Sequence, residues 1–197
     1  KPFDLIELLE KHFSVIETYA LENGIRLNGG AAYGIIEHRY LIGSPLYLNR
    51  VLMNIASNAI KYNRVQGSAT LSCKELSCDG ETAWYEFVCA DTGLGMSEEF
   101  QKHAFEPFAQ EGKESTTSFT GTGLGLSIVK DVVELMGGTI RLESKENVGT
   151  TFTITIPFAL DHTREVTAPE PEAVLPDLTG RKALLVEDNE LNIEIAE

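Results

Sequence analysis

Between residues 3 and 23 apolar side chains recur at Leu5, Leu9, Phe13, Ile16 and Ala20, the spacing that gathers them on one helical face. Asn23-Gly24 closes that segment, and "IRL" after it predicts a short strand. A second helical period runs from about Ser44 to Tyr62, with Ser44 suited to the N-cap and Pro45 to the first helical position. The rhythm then changes to strand-like alternation. "ATLSCKEL" and "TAWYEFVCA" flank the turn residues "CDGE" as a hairpin, and "TIRLESK" and "TTFTITIPF" make a second hairpin turning near "ENVG". Between the hairpins come a glycine turn after Asp91, a short helix near 97–104, the polar loop "AQEGKESTTSFTGTG", and a third long helix over roughly 123–136 that stops at Gly137-Gly138. Helices and strands in this arrangement predict an α+β fold, a mixed sheet with one face covered.

From Asp161 the pattern is lost. "DHTREVTAPEPEAVLPD" holds three prolines and five acids and predicts an extended linker, after which "RKALLVEDNELNIEIAE" begins another strand. Composition changes the picture in three ways. A hydrophobic fraction of 43% is enough for a core, and no apolar run reaches bilayer-spanning length. A net charge of −14 argues against nucleic acid and against direct membrane contact by this chain, because both need a field of Lys and Arg. Cys73, Cys78 and Cys89 are too few for a disulfide framework and lack zinc-ligand companions in sequence, so they predict reduced thiols in a cytoplasmic setting. With Lys1 in place of a methionine, the chain is expected to be a piece of something longer.

Three stretches carry candidate chemistry. On the second helix Asn54, Asn58 and Lys61 share one flank of the apolar stripe formed by Leu48, Val51, Leu52, Ile55 and Ala59. Either the asparagines cap neighbouring loops, or the Asn58 amide oxygen takes a hard cation such as Mg²⁺. Asp91 ends an apolar strand and precedes "TGLGM"; it accepts either a backbone N–H or a ligand donor such as an adenine amine. In "GTGLGLSIVK", Gly121, Gly123 and Gly125 lead into a helix whose first N–H groups face outward and favour an anion. The second stretch is neither a Walker loop, lacking Gly-Lys-Ser/Thr, nor a Rossmann turn, because no strand leads directly into it. Two such turns with a polar loop between them suit a base site, a phosphate site and a lid.

"NIASNAIKYN", "DTGLGM", "FEPFAQ" and "GTGLGLSIVK" resemble, in order and approximate spacing, the N, G1, F and G2 boxes of sensor histidine kinases. The resemblance covers residues 1–160 and implies the Bergerat fold of histidine kinase-like ATPases, a two-layer α/β sandwich whose mixed sheet is backed by three main helices. It further implies ATP and Mg²⁺ as cofactors. By position, Asn58 would ligate Mg²⁺ beside Asn54, Lys61 and Tyr62 would contact phosphate and nucleoside, and Asp91 would receive the adenine amine. Gly93, Gly95 and Met96 would line the base pocket, Phe105 and Phe108 would anchor the lid, and Gly121, Thr122, Gly123, Leu124, Gly125 and Leu126 would cradle phosphates. Asn54, Asn58 and Lys61 form the implied catalytic set.

Two positions depart from the family pattern. Gln110 stands where many members carry arginine, a role Lys113 or another domain could fill. Asn54 replaces the glutamate of the hydrolytic members, and an amide cannot take a proton from water. The resemblance therefore favours transfer of the γ-phosphoryl group to histidine over hydrolysis. His12, His38, His103 and His162 lack the acceptor motif and read as surface or loop residues, so the acceptor is expected on an upstream dimerisation hairpin of a homodimeric parent. "KALLVEDNELN" resembles the first strand of a receiver domain, with Glu187-Asp188 as its acidic pair. The expected organisation is a catalytic domain over 1–160, a linker over 161–180 and a receiver start over 181–197, in a hybrid kinase that is cytoplasmic or held at the inner membrane face. The alternative is a regulatory module that binds ATP or ADP without phosphoryl transfer.

Overall fold

In the computed structural model, which describes residues 1–29, 36–111 and 122–164, the predicted stripes become helices and the alternating stretches become one sheet. The elements are β1 (Pro2–Asp4), α1 (Leu5–Glu22), β2 (Arg26–Asn28), β3 (Tyr40–Ile42), α2 (Pro45–Lys61), β4 (Ser68–Cys78) and β5 (Thr82–Asp91). There follow α3 (Glu98–Gln101), α4 (Gly125–Leu135), β6 (Thr139–Lys145) and β7 (Gly149–Leu160). The sheet runs β1-β3-β7-β5-β4-β2, with β6 also paired to β7. Only β2 and β4 are parallel among these pairs, so the sheet is mixed, as the sequence predicts.

Strand alternation decides which face is covered. Ala83, Tyr85, Phe87 and Cys89 on β5, and Phe152, Ile154, Ile156 and Phe158 on β7, are buried in one cluster with Leu5 and Leu9 of α1, Leu48, Val51 and Ile55 of α2, and Val129 and Val133 of α4. Each fully buried aliphatic side chain contributes roughly 1.5–3 kcal/mol relative to exposure. The opposite face is polar: Thr151, Thr153 and Thr155 alternate outward on β7, and Lys74 pairs with Glu86 at 2.8 Å. Three helices on one side and polar side chains on the other give the two-layer sandwich.

Differences from the predicted pattern have local causes. The strands β1 and β3 are three residues each, too short for a period-two signal, and exist through their mutual pairing, Phe3 against Leu41. On α1 the buried set is Leu5, Leu9, His12, Ile16 and Ala20, so His12 takes the core position expected for Phe13. The short helix keeps only Glu98–Gln101, and the residues after it continue in i→i+3 turns such as His103 N–H to the Phe100 carbonyl. Helix α4 starts at Gly125 because Gly123 holds φ +70°, outside helical space.

Residues Lys1–Arg164 form one compact unit. Leu160 and Asp161 donate their N–H groups to the carbonyls of Glu81 and Tyr40, which ties the end of β7 down beyond residue 160. Most of the expected linker, the receiver-like segment 181–197 and residues 112–121, where a lid is expected, lie outside the described residues. Among the described residues no helix is long and apolar enough to cross a membrane.

Candidate nucleotide site

Asp91 closes β5 opposite Ala69 of β4. Its Oδ1 accepts the N–H of Gly93 at 2.8 Å and that of Thr150 at 3.2 Å, while Oδ2 receives no donor among the described residues. Backbone donors therefore take one carboxylate oxygen and leave the second for something else. Burial pushes the Asp91 carboxyl above its ordinary range, and the Gly93 and Thr150 N–H groups pull it back. A half-buried carboxylate with one oxygen unmet is an acceptor waiting for an N–H donor.

The turn after Asp91 is clamped from both sides. A Cβ on Gly149 would lie 1.9 Å from the Asp91 carbonyl oxygen, and one on Gly95 would lie 2.0 Å from that of Lys145, so neither position admits a side chain. Asn147 N–H reaches the Leu94 carbonyl at 2.6 Å, and Met96 N–H reaches Ser144 Oγ at 2.9 Å. Ser144 Oγ in turn bonds the Gly149 carbonyl at 3.0 Å and sits 2.9 Å from Thr150 Oγ1. From the helical side, the Tyr62 carbonyl accepts Leu94 N–H at 3.0 Å, joining the end of α2 to the glycine turn. The Tyr62 ring itself is exposed, with Lys61 Nζ 5.0 Å from its centroid.

The second half of the site lies between α2 and α4. Asn54 spends its amide N–H₂ on the Arg50 carbonyl at 2.9 Å, which turns its Oδ1 toward the start of α4, 3.5 Å from where a Gly125 Cβ would be. Asn58, one turn along, is half-buried and its amide makes no hydrogen bond among the described residues. The helix ends differ in a telling way. Asp4, Ser44 and Ser97 cap α1, α2 and α3 through their side chains, whereas Leu124 at the start of α4 offers no side-chain cap. N–H groups left without a side-chain acceptor at a helix start favour an anion.

Thr122 is exposed, while Leu126 and Met96 pack against the core cluster. Phe105 meets Phe152 edge-on at 6.5 Å, and Phe108 is exposed but donates its N–H to the Gly123 carbonyl at 3.0 Å, bringing the flanks of segment 112–121 together. Gly121 and Lys113 lie outside the described residues. Sequence reasoning missed Gly149 and Thr150, which reach Asp91, and Ser144, which reaches Met96, all through strand register. It also misplaced His12: the imidazole is buried, and burial lowers its pKa, so it is a neutral core group. His103 and His162 are exposed, as expected. The small cavity of about 30 Å³ beside His12, Leu9, Ile55 and Phe87 is part of the core and too small for a nucleotide.

The Asp91 turn, the α4 start without a side-chain cap from Leu124 and the asparagine flank of α2 belong to one α+β sandwich. The family described as histidine kinase-, DNA gyrase B-, and HSP90-like ATPase matches residues 43–160, and the chain belongs to it. Sensor histidine kinase AruS of Pseudomonas aeruginosa is 34% identical over 99% of this chain and 19% of its own length. The autoinducer 2 sensor kinase/phosphatase LuxQ of Vibrio harveyi is 37% identical over 74% of this chain and 17% of its own. The chain thus spans less than a fifth of these relatives. Among solved structures, full-length ShkA in complex with AMPPNP superposes with a TM-score of 0.66 at 28% identity, covering 82% of this chain and 31% of that one. The catalytic domain of histidine kinase ThkA gives 0.64 at 25% identity, covering 80% and 94%.

Proposed function

We propose that this chain binds Mg-ATP between the Asp91 turn and the start of α4, and donates the γ-phosphoryl group to a histidine on a separate dimerisation hairpin within a phosphorelay. The single observation that carries the reading is the pairing of an unmet Asp91 Oδ2 with an uncapped α4, joined by the asparagine flank of α2. The spare Asp91 oxygen would accept the adenine amine, and the clamped glycine turn would give the ring a flat approach. The N–H groups at the start of α4 would hold phosphate oxygens without a lysine-rich pocket, which answers how a chain of charge −14 tolerates a polyanion.

Asn58 fits a magnesium ligand because its amide is uncommitted among the described residues and hard cations favour amide oxygens. Bound there, the ion would supply charge neutralisation at the phosphates. Asn54, oriented by its N–H₂ bond to the Arg50 carbonyl, would help orient the phosphate chain, and as an amide it cannot take a proton from water. Neutral imidazole carries its own lone pair near pH 7, so transfer to histidine needs no base at that position. Positioning and backbone charge stabilisation would then carry most of the rate. Cationic help that the family pattern places at Gln110 would come from Lys113 or another segment.

The test mixes the chain, γ-labelled ATP and a separately purified acceptor hairpin. Label should appear as an acid-labile phosphohistidine on the hairpin, and fall at least tenfold with Asn58→Ala. Nucleotide binding with no label on the hairpin would instead make the chain a nucleotide-responsive regulatory module.

A further inference from the structure

Toward the other end of β5, opposite Ala83 and Tyr85 and so roughly 20–26 Å along the strand from Asp91, a second chemical cluster forms. Ligand atoms of His38, Glu75 and Cys78 all lie within 4.8 Å of one another, the one such group of histidine, cysteine and acids among the described residues. Three positions apart on a regular strand, Glu75 and Cys78 would face opposite ways. The register slips between Glu75 and Ser77, so Glu75 pairs with Tyr85 and Cys78 with Ala83, and both partners are core-facing residues of β5. The bulge thus brings carboxylate and thiol to one face.

His38 is delivered to that face by a well-fixed segment. Glu75 Oε2 accepts the N–H groups of Glu37 at 2.9 Å and His38 at 3.0 Å, and the buried Tyr85 hydroxyl donates to the His38 carbonyl. Glu75 Oε1 lies 2.7 Å from His38 Nδ1, a hydrogen bond between carboxylate and imidazole. Cys78 Sγ accepts Gly80 N–H at 3.3 Å, and the cluster opens into a groove lined also by Glu37, Leu76, Ser77 and Gly80. The two sides of the cluster come from segments 37 residues apart, which is why no zinc-like spacing is visible around the cysteines in sequence.

We propose that His38, Glu75 and Cys78 form a binding site for a zinc-class transition-metal ion, with its remaining coordination position open to the groove. Nitrogen, thiolate sulfur and one carboxylate oxygen form a borderline-soft set that selects such ions over Mg²⁺ or Ca²⁺. The ion takes the place of the hydrogen between His38 Nδ1 and Glu75 Oε1, the neutral imidazole then carrying its proton on Nε2, and the Cys78 thiol releases its proton to solvent on coordination. It clips the segment before β3 to the β4–β5 hairpin, independently of any nucleotide.

The experiment uses the full chain without nucleotide and Co²⁺ as a zinc surrogate. One equivalent of Co²⁺ should give a near-ultraviolet thiolate-to-cobalt band, displaced by Zn²⁺. Cys73 and Cys89 are buried, and burial pushes the Cys73 thiol up to about 12, so the band reports Cys78. Cys78→Ser should abolish the band, and His38→Gln should weaken binding at least tenfold. In the unaltered chain, Zn²⁺ should protect Cys78 from alkylation, a readout that needs no variant to fold. Absence of the band, a band that survives Cys78→Ser, or an alkylation rate indifferent to Zn²⁺ would overturn the site.

Discussion

The two halves of the proposed nucleotide site are built on different terms. At the base end, every group that positions Asp91 is already satisfied within the fold: Gly93 and Thr150 hold one carboxylate oxygen, Ser144 ties Met96 to Gly149, and close backbone contacts leave no room for a Cβ. At the phosphate end the groups are placed but uncommitted, with α4 uncapped by any side chain and Asn58 lacking a partner among the described residues. The contrast teaches a division of labour. In the proposed complex the flat, neutral part of the ligand would meet a rigid preformed surface, and the charged part would meet donors whose desolvation is deferred until the ligand supplies the acceptor.

The hardest blow to the rigid half is Gly149→Ala, whose Cβ would collide with the Asp91 carbonyl at a backbone φ of +141°. It should lower unfolding free energy by about 3 kcal/mol in a denaturant titration. Gly80→Ala, also at positive φ but with open space around it, should cost only about 1 kcal/mol. Next, Asp91→Asn can keep the Gly93 and Thr150 bonds through its amide oxygen while presenting N–H₂ to the adenine amine. ATP affinity should fall about 100-fold in a fluorescent-nucleotide displacement assay, with the melting temperature of the free chain held within a few degrees. At the uncommitted half, Asn58→Ala should weaken Mg-ATP about tenfold and leave metal-free ADP unaffected, read by titration with and without a chelator.

The smallest expected effect is on pH. Burial raises the Asp91 carboxyl in the folded chain, so the folded state holds that proton more tightly than the unfolded state does. Stability from this group is complete below the unfolded pKa and is lost as pH rises through the folded one. Nucleotide needs the charged form, so affinity should drop as pH falls through the same window. Asp91→Asn should flatten this part of both profiles, measured by thermal unfolding and by nucleotide titration across acidic pH.

Much of the layout was legible because it is local. The helical stripes of α1 and α2, the strand alternation and the two glycine turns are all set within a few residues, and the asparagine flank follows from helical spacing alone. Long-range groups were not legible. Thr150 stands 59 residues from Asp91 and Ser144 stands 48 from Met96, and only strand register brings each pair together. The same holds for β1 and β3, which are strands because they pair, and for His12, whose burial depends on the packing of α1. The bulge that aligns Glu75 with Cys78 leaves no compositional mark at all.

The central claim is a location, and amide NMR of the isotope-labelled chain titrated with Mg-ATP tests it directly. Saturable shifts should appear at Gly93 and Thr150 together with Gly125, Leu126 and Ser127, on opposite sides of one ligand. Absence of shifts with millimolar nucleotide, or shifts confined to residues away from both the Asp91 turn and the start of α4, would contradict it.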